Sequence, residues 1–434
     1  MKTSKRKSHR NTTIKVRNLG IQGKINSRKN GWIIMSIYGE PYERGYAHGS
    51  LLASHFSHVD KVFKYIVVSH FHTTFEEYLE ICTRLISPVV MNDYSEFYEE
   101  IRGINEGIVS AGVQNITVHY LIAWNALLSM YSHYSNNHGQ RCCAFIATGE
   151  ATIDGKIVMA HNTHSDFASG VLGNIILHVH PAMGHSFRMQ TYPGYIASGT
   201  DWFLCSSGII GCETTISKTN YKPQFGAPYF CRIRQAMQYA NTLDECAIIM
   251  KKDNAGDYAC SWLFGDINEN TIMLCEIGRN KTHVEKTNTG VFYGANTAID
   301  YELRNTETTD SFDDLTTSTG ARTMRLQSML LREYYGKLTT SNAKNILSDH
   351  YDVYINRIDP GQRTICKHSK SSPWGATDGK VVDATMAKNL TFYGRMGPPC
   401  GGNFNAKQFI QRHPKYKEWD TVFQDIPKRK WTKI

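Results

Sequence analysis

The spacing of apolar positions changes character near residue 140. From Tyr42 to about Val68, apolar residues (Tyr46, Leu51, Leu52, Phe56, Val59 and Val62 among them) recur three and four apart, the period that lays one face of a helix on a core. Pro41, after the turn Gly39-Glu40, suits the first turn of that helix. The same period runs through 75–91, 95–111 and 117–132. The first third is therefore mainly helical, behind one short strand at 31–38. Gly45 and Gly49 lie four apart on one helical face, a spacing that permits close approach of a neighbouring helix.

Beyond Gln140 the runs shorten and become rich in β-branched and aromatic residues, with Gly, Asp and Asn turns between them. Strands are predicted at 144–148, 156–160, 174–180, 186–191, 202–205 and 209–216. A helix from Tyr229 to about Lys252 follows, then strands at 259–265, 271–276 and 290–293. Helices at 320–336 and 341–349 and late strands at 364–368 and 377–386 complete the reading. No internal repeat or low-complexity linker breaks the chain. Strands grouped with strands and helices with helices predict an α+β protein of stacked layers, not a regular βαβ alternation.

Composition adds bounds. The 434 residues are 41% hydrophobic and 20% charged, ordinary for a globular chain. No apolar run approaches the ~18 residues of a transmembrane helix. The net charge of +9 is unevenly placed: of the 48 Lys and Arg, ten precede the first acidic residue, Glu40, leaving 38 against 39 Asp and Glu. Residues 1–30 thus read as a basic, disordered tail on a near-neutral body, with no nucleic-acid partner expected. The tail has no apolar core of the signal-peptide kind, and the eleven cysteines are scattered without a CxxC pair. Reduced thiols in a cytoplasm-like compartment are the default expectation.

Chemistry-bearing candidates are few. His178 and His180 flank Val179 on one strand face, but no Cys, His or Asp stands near them at a ligand spacing, so no metal and no cofactor are expected. The glycines around Gly208 and from Gly397 to Gly402 lack a nucleotide-binding context, and no GxSxG elbow occurs. There remains the run Gln140-Arg141-Cys142-Cys143-Ala144-Phe145-Ile146, a turn at Asp154-Gly155-Lys156, and a second run ending in His161-Asn162-Thr163-His164. A hairpin there would return the imidazoles to Cys142, and a thiol nucleophile needs neighbours that favour its thiolate. Spacing alone leaves open that both cysteines are small buried hydrophobes opening a core strand.

Cys142-Cys143-Ala144-Phe145, Asp154-Gly155 and Ala160-His161-Asn162-Thr163 together resemble the nucleophile segment of the phospholipase B-like proteins, N-terminal-nucleophile (Ntn) hydrolases with a four-layer αββα sandwich. Asp201-Trp202-Phe203 through Ser207-Gly208-Ile209 to Glu213-Thr214-Thr215-Ile216, and Asn254-Ala255-Gly256-Asp257-Tyr258 with Trp262 and Glu276, resemble further blocks of that family. The stretch from Gly39 to Gly49, and the blocks Asp349-His350, Thr364-Ile365-Cys366-Lys367-His368 and Gly397-Pro398-Pro399-Cys400, are similar to the related autoproteolytic isopenicillin N acyltransferase type.

The resemblance implies that residues 31–141 are a mainly helical pro-segment and 142–434 the catalytic core. It implies self-cleavage between Arg141 and Cys142, after which Cys142 is the nucleophile and its freed amine the base. His161 falls on the family's active-site histidine and Asn296 on an oxyanion-hole asparagine. Asn162, Thr163, Glu213, Thr214 and Arg322 fall on supporting positions, with a cation from His161 or Arg322 lowering the thiol pKa. Two departures stand out: His164 where the relatives carry Trp, which alters one pocket wall, and Ser207 where they often carry Asn. The implied activity is hydrolysis of an amide or a phospholipid acyl ester, without a cofactor. The partners are a small acyl-amide or lipid substrate and the chain's own N-terminal segment, and relatives are often lysosomal or secreted. Acyl transfer to an amine, or an uncleaved binding protein of the same fold, are the alternatives.

Overall fold

The computed structural model describes residues 20–134 and 142–434. Among these residues eighteen strands are numbered in chain order. The first twelve are β1 Gly23–Lys29, β2 Trp32–Gly39, β3 Cys142–Gly149, β4 Gly155–Asp166, β5 Ile175–Pro181, β6 Phe187–Thr191, β7 Trp202–Cys205, β8 Ile209–Thr215, β9 Cys260–Asp266, β10 Thr271–Ile277, β11 Thr282–Thr287 and β12 Gly290–Gly294. The rest are β13 Tyr351–Asp352, β14 Arg357–Ile358, β15 Trp374–Ala376, β16 Asp378–Asp383, β17 Tyr393–Met396 and β18 Thr432–Lys433. One sheet has nine strands in the order β1-β2-β5-β6-β7-β8-β9-β10-β11; a second runs β12-β3-β4-β16-β17-β18 with β15 pairing β4, and β13 and β14 pair by themselves.

Side-chain alternation along these strands builds the layers. Ile176, Trp202, Leu204, Ile210, Leu263 and Leu274 of the large sheet pack against Ala144, Ile146, Ile157, Met159 and Val382 of the smaller one. The opposite face of the large sheet, with Met35, Leu177, Met189, Phe203 and Trp262, is covered by helices from the first third and by Tyr229–Tyr239 and Leu243–Lys251. The outer face of the small sheet, with Cys143, Phe145, Ala160 and Val381, meets Leu326, Leu330, Ile346 and Leu347 of the helical region 318–347. Helix, sheet, sheet, helix: the chain is an αββα sandwich.

Residues 23–29, assigned above to a disordered tail, are instead a strand. Asn30 and Gly31, at φ 48° and 88°, form the two-residue left-handed turn that joins β1 to β2 in register Lys29↔Trp32. Its basic side chains are solvated on a sheet edge, where charge guards against further pairing. Residues 364–368, predicted as a strand, are irregular, with one isolated bridge from His368 to Gly375. The helix expected to run from 229 to about 252 is two helices, because Thr242 caps the second by accepting from the Glu245 N–H.

The segment before Cys142 is woven into the core. β2 lies inside the large sheet, parallel to β5, with Met35 opposite Leu177. Gly45 and Gly49 meet the helix Ser95–Ser110 so closely that a Cβ on either would lie 2.0 Å from the carbonyl oxygen of Glu100 or Ile104. Glu100 is fully buried between two guanidiniums, 2.7 Å from Arg44 Nε and 2.8 Å from Arg234 Nη2, so it bridges residues on both sides of Cys142. Burial alone would raise the Glu100 carboxyl; the charges of Arg234 and Arg44 outweigh it and hold it below the usual range. That stabilisation is present above the unfolded carboxylate value of about 4.3 and is lost as pH falls through the lower folded value. Glu100→Ala leaves the buried Arg234 guanidinium without its carboxylate and Arg44 with Glu96 alone, and is expected to cost about 3–5 kcal/mol in urea unfolding at neutral pH.

Candidate functional site

Cys142 opens β3, and the β3–β4 ladder pairs it with Thr163 and Ala144 with His161. β16 lies on the other side of β4, Lys380 opposite His161. Because Ala144, Met159 and Val382 point between the sheets, residues two removed from them (Cys142, His161 and Lys380) share that face. Thr163 shares it too, its Oγ1 accepting from Lys380 Nζ at 3.0 Å. Lys380 also pairs with Asp378 at 2.9 Å, and Asp378 accepts from the Thr163 N–H and from Gln190 Nε2.

The alternation divides the predicted site. Cys143, Asn162 and His164 point to the helical layer. Asn162 accepts from the Cys143 N–H at 3.1 Å and donates to the Ile365 carbonyl at 3.0 Å, and His164 Nε2 donates to the same carbonyl at 3.0 Å. His164 is therefore no wall of a pocket between the sheets. Ser207 lies in the β7–β8 turn, its carbonyl accepting from Asn268, at the end of β8 remote from Glu213 and Thr214. Neither departure sets its own side chain on the face that holds the Cys142 sulfur; residue 164 reaches that sulfur through its backbone N–H.

The Cys142 backbone is held tightly. Its N–H donates to Asn296 Oδ1 at 3.2 Å and its carbonyl accepts from Arg322 Nη1 at 2.8 Å. Arg322 Nη2 donates to the same Asn296 oxygen at 2.9 Å, and two donors converging there fix the amide orientation. Asn296, at φ 75°, spends its own Nδ2 on the Thr215 carbonyl at 2.9 Å. Asn296 is thus aimed at the Cys142 nitrogen, not at an oxyanion. Thr214 Oγ1 is buried without a hydrogen-bond partner and abuts Gly294, the residue paired with Ala144.

The electrostatics reverse one expectation. Burial, with Glu213 and Asp201 nearby, pushes the Cys142 thiol well above its ordinary value; Lys380 and the His164 N–H oppose this. His161 is neutral, pushed far down by burial and by Lys380. Its Nε2 donates to the Glu213 carbonyl at 3.0 Å, which leaves Nδ1 a buried lone pair with no partner. Arg322 reaches the other sulfur, Cys143 Sγ, at 3.1 Å. Neither supplies a cation to Cys142, so this thiol needs a base beside it. Asp378 and Lys380 were not named from sequence, and Asp201 only as part of a resembling block with no role; strand alternation with Val382 was the available signal for Lys380. Arg141 lies outside the described residues.

The His178 and His180 rings lie with centroids 3.8 Å apart, tilted by 40°, and Arg188 stands across the ladder from His178. Burial, then His180 and Arg188, lower His178 to about 3. Among the described residues a different group, His350, Cys366, His368 and Cys400, has metal-ligand chemistry, which the expectation of no metal did not foresee. No described helix is long and apolar enough to cross a membrane.

No protein-family model matches the chain. It is similar to an uncharacterized protein of Archaeoglobus fulgidus, 27% identical over 261 residues that cover 56% of this chain and 42% of that one. It is also similar to protein dcd1A of Dictyostelium discoideum, 24% identical with 54% and 55% covered. The family similarity read from the spaced blocks recurs in phospholipase B-like 1 of Bos taurus, 24% identical with 49% and 44% covered. The chain spans about half the length of these curated relatives. Among solved structures, a mutant of the conjugated bile acid hydrolase from Clostridium perfringens aligns with a TM-score of 0.35 at 9% identity, over 58% of this chain and 89% of that one.

Proposed function

We propose that the chain is an Ntn-type acyl hydrolase that cleaves itself before Cys142 and then uses Cys142 as nucleophile on an amide or a phospholipid acyl ester. The observation that carries this reading is the Cys142 nitrogen resting 3.2 Å from Asn296 Oδ1, itself fixed by Arg322, while the sulfur lies on the face between the sheets. A backbone nitrogen held by a side-chain acceptor is ready to become a held amine.

In the maturation step the Cys142 sulfur attacks the Arg141 carbonyl, the acyl group moves from nitrogen to sulfur, and water hydrolyses the thioester. The freed α-amine has an ordinary pKa of about 7.7–8.0. It is uncharged in part at neutral pH and takes the proton of a thiol that burial keeps protonated. The sulfur then attacks the substrate carbonyl, the leaving amine or alcohol departs with a proton, and water releases the acid. His161 Nδ1 is the second proton acceptor on this face. The severed N-terminal part stays bound, because β2 pairs with β5 and Glu100 with Arg234, both beyond the cut.

The test is a trapped intermediate. Brief incubation with an acyl p-nitroanilide or a lysophospholipid, acid quench and peptide mapping should give an acyl mass increment on the peptide beginning at Cys142. Turnover without that increment, or with it on Cys143, removes the reading.

A further inference from the structure

The four residues with ligand chemistry come from three separate stretches of chain. His350 follows the helix Thr340–Leu347, Cys366 and His368 lie in the irregular strap 361–368, and Cys400 follows β17. Their ligand atoms all lie within 4.8 Å of one another. His368 Nε2 is 3.1 Å from His350 Nε2, 3.5 Å from Cys366 Sγ and 3.6 Å from Cys400 Sγ. One imidazole nitrogen carries either a proton or a lone pair. It cannot serve three neighbours by hydrogen bonding.

A tetrahedral ion can. Bonds of about 2.0–2.1 Å to nitrogen and about 2.3 Å to sulfur give tetrahedron edges of about 3.3–3.4 Å between nitrogens and about 3.5–3.6 Å between nitrogen and sulfur. The His–His separation of 3.1 Å and the His–Cys separations of 3.5 and 3.6 Å lie close to those edges. We propose that His350, Cys366, His368 and Cys400 bind one structural zinc ion. Two thiolates and two neutral imidazoles neutralise Zn²⁺ and match its ligand preference. With all four positions taken by protein, the site is closed and its work is structural. The Gly402 N–H donates to Cys400 Sγ at 3.3 Å, the outer hydrogen bond such a thiolate ordinarily receives.

The position gives the ion a use. The strap 361–368 is tied by few backbone bonds, among them Cys366 N–H to the Asp349 carbonyl and Ala376 N–H to the Lys367 carbonyl. Yet it carries the Ile365 carbonyl that receives both Asn162 and His164 from β4. Zinc would pin this strap behind the hairpin that bears Cys142. The sequence hid the site because Cys366-Lys367-His368 is a lone C-x-H, with its other ligands 18 and 32 residues from His368.

Metal analysis of the full-length chain, purified without chelator, should give about one zinc per chain. Chain produced in cobalt-supplemented medium should show tetrahedral d–d bands and thiolate-to-cobalt charge transfer. Cys400→Ser is expected to weaken zinc retention at least about tenfold and lower the melting temperature, while Cys82→Ser, a buried thiol elsewhere, keeps its zinc. If Cys400→Ser fails to fold, the wild-type zinc content and cobalt spectrum decide. A cooperatively melting wild-type chain that holds no zinc and gives no cobalt bands overturns the proposal, as does recovery of Cys366 and Cys400 in one disulfide. None of these readouts depends on self-cleavage or turnover.

Discussion

Cys142→Ala is expected to leave the chain as one full-length species and to lower acyl-substrate turnover by about 10⁴-fold or more, the scale seen when a covalent nucleophile is removed. Cys143→Ala is expected to be processed and to remain active. The two thiols are adjacent in sequence, but strand alternation sends them to opposite faces of the sheet. Cys142 meets the Lys380, Glu213 and Asp201 surroundings; Cys143 lies among Phe145, Leu326 and Leu347 with Arg322 at 3.1 Å. Intact mass and single-turnover assays on the pair separate the alternatives. Activity surviving in Cys142→Ala and lost in Cys143→Ala would transfer the chemistry to the helical side.

The second large effect is expected at Arg322. Its guanidinium is fully buried and holds the Cys142 carbonyl and the Asn296 oxygen without a carboxylate in its hydrogen-bond set. Arg322→Met removes the guanidinium donor from the Cys142 carbonyl, at about 1–3 kcal/mol, and leaves the Asn296 oxygen with the Cys142 N–H alone, which frees the amide to turn. Loosened positioning of this kind is expected to slow self-cleavage about 10²-fold. A loss of stability alone would not move the pH profile, and Arg322 should move it. A positive neighbour disfavours the protonated amine, so Arg322 lowers the Cys142 amine pKa and its removal raises it. The rise of kcat/KM with pH should therefore shift to higher pH in Arg322→Met and return part of the way in Arg322→Lys. An unshifted profile in a folded, processed variant would count against the amine as base.

Much of this was legible in the chain because the hydrophobic period changes where the architecture changes. The helical run before 134, the β3–β4 hairpin and the layered α+β plan follow from spacing. What failed did so for identifiable reasons. β4 was expected to end at Ala160 but continues to Asp166, so period-two alternation divides His161 and Thr163 from Asn162 and His164. Burial is not written in a single residue, and it is burial that makes His161 neutral and a poor source of charge. The basic side chains of 23–29 read as a tail, and the Asn30-Gly31 pair that turns β1 into β2 went unread. His350, Cys366, His368 and Cys400 meet only through tertiary packing.

The most direct measurement is N-terminal sequencing of the purified protein after full denaturation, beside its intact mass. The account predicts two chains that separate only when unfolded, the larger beginning Cys-Cys-Ala-Phe. A single chain that stays uncut through prolonged incubation at neutral and mildly acid pH, or a cut at any other bond, would contradict it.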